Sequence, residues 1–433
     1  MKKIAILGVG STYFTKGIVE SLIKFGGSWD LRLVDIDDKC LDIAMKLSQR
    51  IVDHYEADVK ISGSVDRLDI LDDLDAVVST IGVGGRRAWE KDVFMFHEFN
   101  IHQSTGDTYG AGGVSRALRT VPVLIEIARD MERLCPNALL VNFTNPMTVN
   151  CWALSKVTKI KTIGLCYGVT SLQHHLANLI GMPFSKTWTE AVGVNHFTWI
   201  TDFHCDGKDA WPLVREAIAK NLEVRAGNPY TWELFDVFGA WPTVGDGHIC
   251  EFIPGFQGKN MHYGKTFGTH FKDYAKHWDD VFREMEDQAY GHKPLTAIDD
   301  NTVSETFKDE DLFIDVLMAI IGDGPSVERT INLPNQGIVS GLPSDAVLEV
   351  TSLVNSSGIH PYAIGELPPG INAIIARIIA SQALTVEASL HADRNLVIQA
   401  LMADLTALTR DMAEKITDCI FKNHRAYLPQ FFS

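Results

Sequence analysis

Over the first 190 residues, short apolar runs that stop at glycine or a polar residue alternate with stretches of helical periodicity. Residues 3–8 (KIAILG), 31–35 (LRLVD), 75–82 (DAVVSTIG), 138–146 (ALLVNFTNP) and 161–166 (KTIGLC) read as strands. Residues 12–25, 38–55, 116–134 and the stretch after 170 read as helices, with Pro122 breaking or kinking the third in its first turns. Alternation of this kind predicts a parallel sheet with helices on both faces, an α/β, Rossmann-like unit over 1–190. Beyond about 190 the pattern changes. The segment 204–300 is rich in Trp, Gly, His and Pro and shows no readable period. Helical patterns return at 310–321, 370–388 and 394–421. Residues 191–433 are therefore expected to form a second, α+β domain that closes over the first and carries substrate and oligomer contacts.

Composition narrows the class. The chain has 433 residues, 46% hydrophobic and 22% charged, which suits two fused globular units. A net charge of −16 without a basic stripe argues against a nucleic-acid partner. No run of eighteen apolar residues is present, so no membrane span is expected, and the start MKKIAILGVGST reads as a strand feeding a turn rather than a signal peptide. The seven cysteines are odd in number and scattered, which fits no disulfide framework or zinc ribbon and suggests a reducing, cytoplasmic setting.

Gly8-Val9-Gly10-Ser11 follows the first strand and opens a helix, the context in which a glycine turn brings the backbone and a helix N-terminus to a pyrophosphate. The third glycine of the usual fingerprint is replaced by Tyr13. Asp35, at the end of the second strand, is placed to accept from a ribose 2′-OH, which favours NAD over NADP. Thr80 and Asn142 end later strands and are expected at the same carboxyl edge. Polar residues in apolar surroundings recur at Asn145-Pro146-Met147, Cys166-Tyr167-Gly168, Asn195-His196 and Asp246-Gly247-His248. Cys166 and His196 are the candidate metal ligands, since two protein ligands leave the open positions a catalytic metal needs. Taken singly, a strand-end Cys and a His beside Phe and Trp are more often core residues than ligands.

GVGST at 8–12, VDID at 34–37, STGDTYGAGGVSRALRTVP at 104–122, VNFTNPM at 141–147, GLCYG at 164–168, VGVNHFTW at 192–199, VGDGHICEFIPG at 244–255 and LPNQG at 333–337 occur in the order found in glycoside hydrolase family 4, and the chain resembles that family. Lactate and malate dehydrogenases share the Rossmann half but not the pairing of the cysteine motif with NHFTW. The resemblance is nearest the α-galacturonidase and α-galactosidase groups. It implies a dehydrogenase-like fold, NAD, a divalent metal, usually Mn2+, and commonly a homodimer or homotetramer. It implies Cys166 and His196 as metal ligands, Asn145 and Asn195 as contacts to sugar hydroxyls, Asp107 in a loop facing the sugar, and Asp246 in the segment supplying the base. The chemistry implied is oxidation at C3 of an α-glycoside, removal of the C2 proton, elimination at C1, addition of water and return of the hydride. Tyr167 departs from the family pattern, in which a His or Asp after the cysteine helps protonate the leaving oxygen; Tyr167, His248 and His174 are the alternatives for that role, or Tyr167 only shapes the pocket. A uronide would need a cation for its carboxylate. Arg116 is the first choice among Arg86, Arg87, Arg116 and Arg119, with Lys265 behind them. The competing readings are an NAD-dependent hydroxy-acid dehydrogenase and a nucleotide-binding relative without turnover.

Overall fold

Six apolar runs become parallel strands: β1 (Lys2–Leu7), β2 (Trp29–Val34), β3 (Val59–Ser64), β4 (Ala76–Ser79), β5 (Leu139–Asn142) and β6 (Thr162–Leu165). In the computed structural model they lie in the order β3-β2-β1-β4-β5-β6, that of a doubly wound dinucleotide-binding sheet. The structure describes residues 1–258, 267–295, 312–322 and 324–432. Strand periodicity sends alternate side chains to opposite faces. Ile4 and Ile6 join one core with helices α1 (Thr12–Phe25) and α2 (Asp38–His54), whereas Ala5 and Leu7 join another. The helices between β4 and β6 are α3 (Gly85–Phe94), α4 (Gly110–Leu134) and α5 (Met147–Val157). Helix α6 (Gly168–Leu179) follows β6.

Among the described residues, the rest of the chain adds to this sheet. Strands β7 (Thr187–Val194), β8 (Phe197–Cys205), β9 (Lys208–Asp209), β10 (Trp241–Pro242), β11 (Val327–Pro334), β12 (Val347–Asn355) and β13 (Gly358–Pro361) extend it, beginning where β11 pairs antiparallel with β6. The boundary expected at 190 falls inside β7. The long stretch without a readable period holds α7 (Trp211–Lys220), α8 (Pro229–Phe238), α9 (Asp246–Phe252) and α10 (Phe267–Ala289). Helix α11 (Leu312–Ile321) packs on α1, and α12 (Pro369–His391) on α4 and α5. Helix α12 is long and apolar enough to cross a membrane, but half of its apolar window is buried against those neighbours. The expected helix at 394–421 is two, α13 (Arg394–Ala403) and α14 (Arg410–Asn423), the second capped by Thr409, whose side chain accepts from Met412 N.

Helix α4 begins six residues before the expected start and runs through Pro122. Proline removes the amide that would bond to the carbonyl of Leu118. Gln430 Nε2 donates to that carbonyl instead, at 2.9 Å, so the C-terminal segment repairs the helix.

Candidate active site

The glycine turn is held by its neighbours. Gly8 has φ +89°, and a Cβ there would lie 2.8 Å from the backbone of Ile81, so only glycine lets the loop after β1 rest on the end of β4. Thr80 Oγ1 donates to Gly8 O at 2.9 Å. One Asp35 oxygen accepts from Gly10 N at 2.7 Å and the other from Asp37 N at 3.0 Å, so the half-buried carboxylate braces the loop from the position expected for the ribose. Ser11 stands at the start of α1 without a side-chain cap bond. Asn142 is the last residue of β5, at this edge. It is fully buried, its amide donating to Thr144 O and accepting from Thr144 N, so it shapes the turn after β5.

The turn it shapes presents Asn145. Thr144 Oγ1 donates to Ile81 O at 3.2 Å, joining the ends of β4 and β5. Asn145 Nδ2 donates to Asp107 Oδ2 at 2.9 Å, and Arg116 Nε, on the second turn of α4, donates to Asn145 O at 3.1 Å. Asp107 belongs to a group of three. Its carboxylate, His196 and His248 offer ligand atoms within 4.8 Å of one another. The two imidazoles are in contact with centroids 4.0 Å apart and their planes tilted by 41°. His196 occupies the two-residue turn between β7 and β8 at φ +67°, a left-handed conformation uncommon outside glycine and more often tolerated by histidine than by most residues. His248 comes from the first turn of α9.

Cys166 directly follows β6, and Gly168 N donates to its Sγ at 3.4 Å. A Cβ on Gly168 would meet Val244 at 2.0 Å, so glycine lets the segment leading to His248 close onto the cysteine loop. The Asn195 amide touches the thiol and, through Nδ2, the buried Glu349 at 3.1 Å. Cys166 thus neighbours the three-residue group without belonging to it. Asn195 itself is fully buried and supports Cys166 from behind.

Charge is arranged to suit a cation. Burial disfavours the Asp107 carboxylate, but His248, the Arg116 guanidinium and His196 outweigh it and hold its pKa down at about 2. Burial pushes His196 down to about 3 and lowers His248 as well. At neutral pH the group is one carboxylate and two neutral imidazoles, the protonation states that bind metal. Burial, then Glu349, pushes the Cys166 thiol up to about 12, so only a bound cation would draw off its proton. Asn145 Oδ1, Asn195 Oδ1 and His248 Nδ1 are buried without hydrogen-bond partners. These orphaned atoms and the mixed nitrogen, oxygen and sulfur donors around them fit a divalent metal of the manganese kind.

Two expected roles are corrected. Asp246 is buried and accepts from Thr231 N and Thr231 Oγ1 at 2.8 Å and from Tyr230 N at 3.1 Å. Its lone pairs are committed to the N-terminus of α8, so it is a helix anchor rather than a base. His174 is stacked on Phe184 with centroids 3.8 Å apart, within α6, and is not part of the cluster. Tyr167 stacks on Phe143 and packs against the apolar core on that side of the sheet. Of the candidate arginines, Arg119 is buried in an ion pair with Asp92, Arg86 pairs with Asp279 and Arg87 with Glu90. Arg116 alone of the four stands beside the cluster, and among the described residues its terminal nitrogens have no hydrogen-bond partner. Lys265 lies outside the described residues.

The sequence reading missed Glu251, Thr108 and Glu349. Glu251 is buried on α9 and accepts from Thr105 N at 2.7 Å and from Gly106 N. Thr105 Oγ1 donates to Gly247 O at 3.0 Å. These bonds stitch the Asp107 loop to the His248 helix across 140 residues of chain. Glu251 could have been suspected only as an acid inside an apolar ICEF run; Thr108 and Glu349 left no signal.

A mononucleotide edge continuous with a carboxylate–imidazole cluster beside a strand-end cysteine defines an NAD-type glycosidase site rather than a paired-carboxylate one. The chain belongs to glycosyl hydrolase family 4: residues 3–182 match the family 4 glycosyl hydrolase domain and residues 191–407 its C-terminal domain. An α-galactosidase of Bacillus subtilis (strain 168) is 30% identical over the full length of both chains. An α-galacturonidase of the same organism is 29% identical, covering 96% of this chain and 95% of that one. The crystal structure of lplD from Bacillus subtilis, described as a glucosidase, superposes with a TM-score of 0.84 at 26% identity, covering 97% of this chain and 99% of that one. A 6-phospho-alpha-glucosidase from gut microorganisms, solved with NAD and Mn2+, has the same TM-score at 17% identity, with 98% of each chain covered, and shares the fold.

Proposed function

We propose that this chain hydrolyses an α-galacturonide or α-galactoside, with NAD at the Gly8–Ser11 turn and a divalent cation, Mn2+ by choice, at Asp107, His196 and Cys166. The observation that carries the reading is the cluster of Asp107, His196 and His248 beside Cys166, on the carboxyl edge that also holds the glycine turn. When bound, NAD+ and the cation supply transient oxidation at C3 of the sugar and charge stabilisation beside it, which makes the C2 proton removable.

The chain's own groups do the rest. His248 has the largest side-chain exposure in the cluster, 22% against 11% for Asp107, and is neutral at working pH; it is our choice to take the C2 proton in place of Asp246. Asn145, locked onto Asp107, keeps its carbonyl oxygen for a sugar hydroxyl. Arg116 offers its two terminal nitrogens to a carboxylate at C5. Tyr167 forms a wall of the sugar pocket. Asp35 favours NAD over NADP, since a 2′-phosphate beside it would be repelled. The seven unpaired cysteines support a cytoplasmic setting, and we extend the family's homodimer or homotetramer habit to this chain.

The test is release of aglycone from aryl α-galacturonides and α-galactosides with NAD+, Mn2+ and a thiol reductant. The expected result is turnover without accumulation of NADH, and incorporation of solvent deuterium at C2. NADH rising in step with product would replace the reading by a dehydrogenase.

A further inference from the structure

We propose that Thr108 is a positioning residue that fixes the ring tautomer of His196, leaving Nε2 of that imidazole with its lone pair free for the cation. The inference rests on the metal-dependent reading above and concerns a residue outside the substrate and cofactor contacts. Thr108 is buried, and its hydroxyl oxygen lies 2.6 Å from Asp107 Oδ1 and 2.7 Å from His196 Nδ1.

Proton counting decides the direction of both bonds. A hydroxyl owns one proton and two lone pairs, and an ionised carboxylate only accepts. The shorter of the two contacts has the hydroxyl donating to Asp107 Oδ1, a carboxylate oxygen. The single Thr108 proton therefore goes to Asp107. The contact with His196 is left to run the other way, Nδ1–H donating to the Thr108 oxygen. A neutral imidazole holding its proton on Nδ1 has none on Nε2. Metal-binding histidines are commonly held this way, by an acceptor on the far ring nitrogen. One hydroxyl thus orients two members of the cluster at once. It does so from a loop anchored on α9 by the Thr105 and Gly106 amides at Glu251. The ring also has little freedom to turn over, being packed at a tilt against the His248 ring with centroids 4.0 Å apart and carried by a tight hairpin.

Replacing the hydroxyl by a methyl keeps the shape and removes both bonds. The experiment uses the full chain labelled with 15N at histidine, metal-free and without NAD or substrate, with His196→Gln identifying the resonance. Wild type is expected to show the Nδ1–H tautomer at His196, Thr108→Val to shift it towards Nε2–H, and Thr108→Ser to keep the wild-type form. Mn2+ affinity, read from the electron paramagnetic resonance signal of the free ion, is expected to fall about 10- to 100-fold in Thr108→Val and to recover in Thr108→Ser. An Nε2–H tautomer in wild type overturns the proposal without recourse to any variant. So does a Thr108→Val protein that keeps both the tautomer and the affinity. Neither result touches the glycosidase reading, which stands or falls on aglycone release by the wild-type enzyme.

Discussion

Arg116 and His248 show how single side chains acquire a role that their residue type does not announce. Four arginines were chemically equivalent as partners for a sugar carboxylate; ion pairs with Asp92, Asp279 and Glu90 remove three and leave Arg116. A charge-assisted pair is worth roughly 1.5–3 kcal/mol. Arg116→Ala is therefore expected to lower kcat/KM for an aryl α-galacturonide by about 10- to 100-fold more than for the matching galactoside, measured side by side. An equal loss on both substrates would assign Arg116 to Asp107 instead. Only Gly247 separates Asp246 from His248, and burial with three accepted hydrogen bonds at Asp246 divides their tasks. We expect Asp246→Asn to lower the melting temperature through the N-terminus of α8, at a cost of about 1 kcal/mol, while keeping turnover per folded molecule. His248→Gln is expected to stay folded and lose about 100-fold or more in kcat. The reverse pattern, exchange at C2 lost in the first and kept in the second, would return the base to Asp246.

At the scale of elements, the strong periods were legible and the interrupted ones were not. Strands β1, β2, β4, β5 and β6 and helices α1, α2, α11 and α12 follow from apolar spacing, since each buries a continuous face. Strand β12 (VLEVTSLVN) is buried almost throughout, yet Glu349 sits in its middle, and its partners Thr198, Asn195 and Asn332 lie on other strands and a turn. No local rule foresees an acid there. Helix α4 was read short because GAGG and Pro122 are poor helix formers, and long-range bonds override both. Gln430→Ala is expected to cost about 1–3 kcal/mol in urea unfolding by orphaning the buried carbonyl of Leu118. In a Pro122→Ala background, where an amide returns to that carbonyl, the cost should nearly vanish. An undiminished cost in that background would mean that Gln430 acts through other contacts.

Across the whole molecule, one sheet carries both halves. Asp404 follows α13 and is buried; burial pushes its pKa up to about 7 against the pull of Thr406 and Arg377. Its folded pKa lies above the unfolded value near 3.9, so the unfolded chain releases the proton first as pH rises. Stability from this group is therefore full below about pH 4, falls between pH 4 and 7, and levels off above, by an amount on the order of 4 kcal/mol. Wild type should lose stability relative to Asp404→Asn between pH 5 and pH 8 in denaturant titrations. Parallel stability curves for the two proteins would contradict the burial argument.

Local pattern alone determined the parallel strand order's ingredients, the glycine turn with Asp35, and the segments on which the polar candidates lie, because each depends on periodicity or on neighbours a few residues apart. The resemblance in those segments named the family. Tertiary structure decided the membership of the site. Asp107, His196 and His248 are up to 141 positions apart and meet only because loops at one sheet edge converge. It also turned Asp246 to a helix terminus and Asn142 to the turn after β5, since burial and satisfied hydrogen bonds are properties of the packed chain and leave no trace in residue type.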